Sequence, residues 1–161
     1  MKIHHDVVFN EKALVYSGLI LIGILIFHAV YMAIVNRSYR YAFQHTTDKG
    51  RYMLAQALFI PGAFTLSLAH IVEILGIGYT IHWMGLVSDI QMAIVFAGSC
   101  YTTIGYGQDI LPTSWDLVTV TMALSGLISV AWTSSVLFGM AASSQTAYDM
   151  EQKHKRGKKT T

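Results

Sequence analysis

Six consecutive residues, Thr102 to Gly107, carry the clearest chemistry in the chain and read TTIGYG. Glycine reaches positive φ without steric cost, so Gly105 and Gly107 allow the backbone to alternate between left- and right-handed conformations. In such a backbone successive carbonyl oxygens point the same way, while the side chains of Ile104 and Tyr106 turn to the opposite side. The segment therefore predicts a row of backbone oxygens that could bind a cation.

A row of carbonyls from one chain cannot surround an ion, but a ring of several identical loops can. Rings of backbone carbonyls from four loops replace the hydration shell of a potassium ion, and the hydroxyl of Thr103 could add a further oxygen at the inner end. Irregular backbone at membrane depth is tolerated only where it is buried in protein or lines a water-filled path. The loop thus predicts a pore built from several copies of the chain.

The composition indicates a chain that lies partly in lipid. Of its 161 residues, 53% are hydrophobic and 12% are charged, whereas an average soluble domain is roughly 25% charged. No Lys or Arg occurs between Arg51 and Lys153, and the net charge of +2 is too small to favour nucleic acid.

The single cysteine, Cys100, excludes an intrachain disulfide. No set of nucleophile, base and acid is evident, so we expect neither an enzyme nor a cofactor.

Three stretches are long enough to cross a bilayer, which takes about 20 apolar residues. They cover residues 13–35, 54–80 and 115–142. A fourth apolar piece, at 88–101, is too short to cross and is typical of a re-entrant helix; its Ser88 and Gln91 fit a capping box. We therefore predict an all-α membrane protein with three transmembrane helices, a re-entrant pore helix and a selectivity-filter loop at 102–107.

The basic residues predict how the chain lies in the membrane. Four occur in the loop 36–53 between the first two spans, and five occur in the tail 144–161. Three spans put this loop and this tail on the same side, which the positive-inside rule makes the cytoplasm. The N-terminal residues 1–12 and the TTIGYG loop would then face outside, in a cell membrane. The basic tail could contact anionic lipid headgroups or be solvated.

Residues 53–143 resemble the pore module of the potassium channel superfamily, with an outer helix, a pore helix, a filter and an inner helix. The resemblance rests on four features: His70 with Glu73, YTTIGYG at 101–107, Leu111-Pro112, and Ala131 to Ser134 with Leu137-Phe138. More narrowly, the chain is similar to small bacterial ion channel proteins with a two-helix pore. The span at 13–35 would be an extra N-terminal helix, outside a pore domain at 54–143.

This resemblance implies a potassium-selective channel that assembles as a homotetramer with fourfold symmetry. The implied K⁺ ligands are Thr103, Ile104, Gly105 and Tyr106, with Gly107 ending the filter. Filters of this family usually end GYGD, whereas here Gln108 follows, the acid is Asp109, and the loop to Pro112 is one residue longer. Two alternatives therefore stay open, a weakly selective cation channel and a non-conducting membrane subunit that senses potassium.

Glu73 is the candidate for bracing the filter from the outer helix. It lies three residues after His70, so the two share a helix face, and an ionisable residue inside a span suggests a function. Glu73 could bond to the pore helix near Ser99 or Tyr101. Alternatively, it could simply be bonded to His70.

Other candidates lie beside the filter and in the inner helix. The remaining predicted filter support comes from Thr102, Gln108 and Asp109. Asp109 would contribute to an acidic outer vestibule that concentrates cations. Asp116 is predicted to be an N-terminal acid of the inner helix, with Ser114 as its N-cap. Gly126 and Gly139 are candidates for either a gating hinge or close helix packing.

Overall fold

The computed structural model describes residues 10–107 and 110–159. Within these ranges the chain is all-helical and has no strand, as predicted. The helices are α1 (Glu11–Asp48), α2 (Tyr52–Ala57), α3 (Phe59–Trp83), α4 (Ile90–Tyr101) and α5 (Asp116–Lys159), with a 3-10 turn at Thr113–Trp115. Gln108 and Asp109, two of the predicted support residues, lie outside the described residues, as does most of the predicted N-terminal segment 1–12.

Three helical stretches are long and apolar enough to cross a membrane. They are Glu11–Asp48, Tyr52–Trp83 and Asp116–Gly157, and they contain the three predicted spans. α4 is apolar but has only 12 residues, about 18 Å at 1.5 Å per residue. Length and composition therefore suit a membrane protein with three spans and one shorter apolar helix.

α1 and α5 extend beyond the predicted spans. α1 has 38 residues, about 57 Å, so residues 36–48 of the predicted loop are helical. It ends in a Schellman motif, in which Gly50 adopts φ 67° and the amide of Arg51 bonds to the carbonyl of Thr46 at 3.1 Å. α5 has 44 residues and includes most of the predicted tail. Apolar runs predict where lipid contact ends, whereas a helix continues through polar residues until its backbone is capped.

The predicted outer helix is divided at Leu58 into α2 and α3. Pro61 explains the division, because proline has no N–H and cannot bond to the carbonyl of Ala57. The chain recovers its helical bonding at once, since the amide of Gly62 bonds to the carbonyl of Leu58 at 3.1 Å.

Two predicted helix starts were wrong. The N-cap of α4 is Asp89 rather than Ser88, and its carboxylate accepts the amide hydrogen of Met92 at 2.7 Å. A carboxylate caps this end well because it also interacts favourably with the helix dipole. Ser114 lies inside the 3-10 turn, so α5 begins two residues later, at Asp116.

Tertiary contacts group the chain into two units. The first unit contains the α1 residues up to Phe27 together with His70–Val130. Its core surrounds α4, with Phe96 and Ala97 buried among Ile81, Val118 and Met122. α4 also approaches α3 closely, because a Cβ on Gly78 would lie 2.8 Å from the Cα of Ile94.

The second unit contains His28–Ala69 and the described residues from Ala131 onward. Its core includes Leu66, Met32 and Met140. Here α1 bonds to α5, since the hydroxyl of Tyr39 donates to the carbonyl of Met140 at 3.0 Å. α1 also bonds to α3 through the hydroxyl of Tyr31, which donates to the carbonyl of Thr65 at 2.8 Å.

Candidate functional site

The TTIGYG loop begins where α4 ends in a second Schellman motif. The amide of Thr103 bonds to the carbonyl of Cys100 at 2.9 Å, and the amide of Ile104 bonds to the carbonyl of Ser99 at 2.9 Å. Thr103 has φ 61° at the position that glycine usually takes in this motif. Positive φ in a β-branched residue is a genuine outlier, and such strain is typically found at functional sites.

Positive φ then recurs at every second residue of the loop. Thr103 has φ 61°, Gly105 has φ 75° and Gly107 has φ 83°. Ile104 and Tyr106 lie between them, and neither is among the residues with positive φ. The predicted alternation of handedness is therefore confirmed for the two glycines, and it extends one step further to Thr103.

The carbonyl groups of the loop differ in their partners. Among the described residues, no hydrogen bond is donated to the carbonyls of Thr103, Ile104 or Gly105. The carbonyl of Tyr106 instead accepts the hydroxyl of Ser99 at 2.8 Å. Three of the four predicted ion ligands thus have a carbonyl that accepts no bond from the described residues, whereas the carbonyl of the fourth accepts one bond from α4 and keeps its second lone pair.

Ser99 holds the loop from the side of α4. Its carbonyl accepts the amides of Ile104 at 2.9 Å and Gly105 at 3.2 Å. Its hydroxyl lies 2.8 Å from the carbonyl of Tyr106 and 2.9 Å from that of Phe96, so its one hydrogen is shared between two acceptors. Ser99 is one of the predicted filter-support residues, and it is buried and contacts the loop directly.

Glu73 of α3 meets the last residue of α4. The hydroxyl of Tyr101 donates to Oε2 of Glu73, and Nδ1 of His70 lies 2.7 Å from the same hydroxyl oxygen. A phenol has one hydrogen, so the hydroxyl of Tyr101 can donate to only one of these two groups. Of the three expected partners of Glu73, Tyr101 is in contact and His70 is 3.8 Å away, whereas the hydroxyl of Ser99 bonds to the carbonyls of Phe96 and Tyr106.

Gly126 of α5 packs against the end of α4. A Cβ at this position would lie 2.0 Å from the carbonyl oxygen of Tyr101. Gly139 differs, since a Cβ there would meet no described atom within 4 Å. Each glycine was a candidate for either a gating hinge or close helix packing. The contacts of Gly126 favour close packing, and those of Gly139 favour neither role.

Thr102 and the loop side chains occupy distinct surroundings. Thr102 is the C-cap residue of α4, and its hydroxyl donates to the carbonyl of Gly98 at 2.7 Å. Ile104 is 76% exposed and Tyr106 is 70% exposed in the single chain. Within one chain, therefore, the loop is braced from behind by Ser99 and not by its own apolar side chains.

The bond between Tyr101 and Glu73 was one of the contacts expected of Glu73. One feature of the site escaped prediction from the sequence. The Schellman motif at Thr103 gave no sequence signal, because the residue expected there is glycine.

Comparison with protein-family models, with curated proteins and with solved structures found no match to this chain.

Proposed function

We propose that the chain is one subunit of a tetrameric potassium-selective channel, with the loop 102–107 as its filter. The observation that carries this proposal is the alternating backbone, with positive φ at Thr103, Gly105 and Gly107. An alternating backbone directs successive carbonyls to one side, and rings of such carbonyls coordinate dehydrated K⁺. The carbonyls of Thr103, Ile104 and Gly105 would supply the innermost rings.

Exposure of the loop side chains supports assembly. Ile104 and Tyr106 present large apolar surfaces, 76% and 70% exposed, next to the filter backbone. In a homotetramer these side chains would pack against neighbouring subunits and hold the ring at the width of a dehydrated ion. Burial of apolar surface is the main driving force for such association.

The surroundings of α4 suit a re-entrant helix in a cell membrane. Its 12 residues are too few to cross, and its C-terminal end carries a partial negative charge that favours a cation below the filter. With the basic segments 36–53 and 144–161 in the cytoplasm, α4 would enter from outside and return through the filter. Membrane lipid would cover the outer faces of α1, where Leu19 and Ile26 are each 60% exposed.

A weakly selective cation channel is the second candidate, and one contact favours it. The carbonyl of Tyr106 accepts the hydroxyl of Ser99, which uses one of its two lone pairs and would weaken one of the four expected rings of oxygens. Ser99→Ala separates the candidates. If Ser99 braces a selective filter, the variant lowers the K⁺/Na⁺ permeability ratio; if the bond withholds a ligand, the variant raises it.

Ion-dependent stability of the purified assembly tests the proposed site. The tetramer, verified by native mass spectrometry, is unfolded by heat in K⁺ and in Na⁺. An ion that binds only the folded assembly raises its unfolding temperature, so we expect stabilisation by K⁺ alone. Gly105→Ala should abolish this effect, whereas Gly18→Ala, in α1 with no described atom within 4 Å of the new Cβ, should retain it. Equal stabilisation by both ions would support the second candidate, and none by either would contradict both.

A further inference from the structure

The basic residues of the chain are concentrated in the second unit. The sequence of this unit contains nine Lys or Arg and three Asp or Glu, whereas the sequence of the first unit contains two basic and six acidic residues. The nine basic residues fall in two groups, at 37–51 before α2 and at 153–159 in the last turns of α5. A surface with this charge favours a partner that carries negative charge.

Three contacts join α2 to the end of α5. The rings of Tyr52 and His154 lie 6.2 Å apart. The side-chain amide of Gln56 donates to Oε2 of Glu151 at 2.8 Å, and the hydroxyl of Ser144 donates to the carbonyl of Gln56 at 3.4 Å. The partner positions on α5 decrease as those on α2 increase, so the two helices run in opposite directions. The end of α5 is therefore held along α2.

This pairing brings basic residues from both groups together. Arg51 precedes Tyr52, and Lys153 precedes His154, so the contact between the two rings places Arg51 and Lys153 near one end of the helix pair. Both basic side chains are exposed, and neither forms an ion pair with a described residue. Two positive charges from distant parts of the sequence are thus available to one anionic group.

Apolar side chains lie next to these charges. Met53 and Leu54 follow Tyr52 in α2 and are 72% and 50% exposed, and α2 begins the candidate membrane span Tyr52–Trp83. Exposed apolar, aromatic and basic side chains together are typical of a helix at the membrane–water interface. A nucleic acid or a soluble acidic protein would leave Met53 and Leu54 in water, whereas a phospholipid offers both a negative phosphate and hydrocarbon.

We propose that α2 and the end of α5 form a binding site for an anionic phospholipid. The headgroup phosphate lies between Arg51 and Lys153, and the acyl chains lie against Met53 and Leu54. Of the two roles expected for the basic tail, this site gives it contact with lipid headgroups. Binding does not depend on conduction, so this proposal and the proposed channel function can fail separately.

Lipid titration of the full chain in detergent, followed by native mass spectrometry, tests the charge of the site. The anionic probe is dioleoylphosphatidylglycerol, and the matched probe is dioleoylphosphatidylcholine, which has the same acyl chains and no net charge. We expect tighter binding of the anionic lipid. Arg51→Gln and Lys153→Gln should each weaken that binding about fivefold, whereas Lys12→Gln, which removes one positive charge from the first unit, should leave it unchanged. The side chain of Arg51 makes no cap bond to α2, so its replacement should not disturb folding.

A second pair of variants tests whether the two helices act together. Gln56→Ala removes the bond to Glu151 without changing the charge, and it should weaken phosphatidylglycerol binding because the end of α5 is no longer held along α2. Gln145→Ala is the control and should bind as the wild type does, since Gln145 bonds to Asp149 of its own helix.

Four results would overturn the proposal. The first two are equal affinity for the two lipids and an equal loss in Arg51→Gln and Lys12→Gln. The third is wild-type affinity in Gln56→Ala, which would mean that the two basic groups act separately. The fourth is binding of glycerol phosphate, which lacks hydrocarbon, as tight as that of phosphatidylglycerol, since this would identify a site for soluble phosphate.

Discussion

Tyr101, the last residue of α4, donates its hydroxyl hydrogen to Glu73 of α3, and both side chains are buried. The TTIGYG loop follows Tyr101 directly in the sequence. The backbone position at which the loop begins is therefore fixed to a neighbouring helix by a side-chain bond. His70 joins this contact, with its Nδ1 2.7 Å from the same hydroxyl oxygen.

Removing this hydroxyl should destabilise the protein. Tyr101→Phe leaves the buried Glu73 without one donor, and an unsatisfied buried polar group costs about 1–3 kcal/mol. Thermal unfolding in detergent, followed by circular dichroism, should show a lower midpoint for Tyr101→Phe than for the wild type. Tyr41→Phe is the control, because Tyr41 is 73% exposed. Equal midpoints for the two variants would mean that the bond contributes nothing.

Adding one methyl group should distinguish the two glycines of α5. Gly126→Ala places a Cβ 2.0 Å from the carbonyl oxygen of Tyr101, so we expect a loss of about 1–3 kcal/mol through overpacking. Gly139→Ala meets no described atom within 4 Å and should raise stability by about 0.5–1 kcal/mol, since alanine favours a helix. Chemical unfolding of both variants measures the difference. If Gly126→Ala left the free energy of unfolding unchanged, the close packing would be contradicted.

The sequence predicted the spans and the glycine conformations, because these depend on local chemistry. Apolar runs fix where a chain can cross lipid, and Gly105 and Gly107 are the residues that reach positive φ most readily. The helix ends were harder to predict, since Asp89 and Ser88 are both good N-caps and only the three-dimensional path selects between them. The bond from Ser99 to the carbonyl of Tyr106 depends on the fold of the loop, which no residue pattern specifies.

Replacing Thr103 by glycine should relieve backbone strain, whereas replacing its neighbour Thr102 by glycine should lower stability. Thr103 has φ 61°, a conformation that costs an ordinary residue roughly 1–2 kcal/mol, so Thr103→Gly should be neutral or stabilising. Thr102 has φ −86° and donates to Gly98, so Thr102→Gly should lower stability by about 1 kcal/mol. The unfolding midpoints of Thr103→Gly and Thr102→Gly measure this difference. A lower midpoint for Thr103→Gly than for Thr102→Gly would contradict backbone strain at Thr103.

Glu151, near the end of α5, should make the stability of this region depend on pH. Hydrogen bonds from Lys155 and from Gln56 lower its pKa below the ordinary value of 4.5; the nitrogen–oxygen distances are 2.5 and 2.8 Å. Because the pKa of Glu151 is lower in the folded chain, its carboxylate stabilises the fold above pH 4.5. This stabilisation is lost as the pH falls through the pKa of the folded chain.

Carboxyl NMR titration in micelles measures this pKa directly. Lys155→Met and Gln56→Ala should each raise the pKa of Glu151 towards 4.5. Lys153→Met is the control, because it removes a nearby charge that does not bond to Glu151. This variant should change the pKa of Glu151 less. A Glu151 that titrates at its ordinary value in the wild type would refute the contact.

Ion flux into liposomes that contain the verified tetramer tests the central claim most directly. A potassium gradient and then a sodium gradient are applied to the same vesicles, with and without barium. The account predicts K⁺ flux that barium blocks, little Na⁺ flux, and loss of both selectivity and block in Gly105→Ala but not in Gly18→Ala. Equal flux of the two ions would identify a weakly selective channel, and an absence of K⁺ flux across a range of pH values would contradict the account and favour a non-conducting potassium sensor.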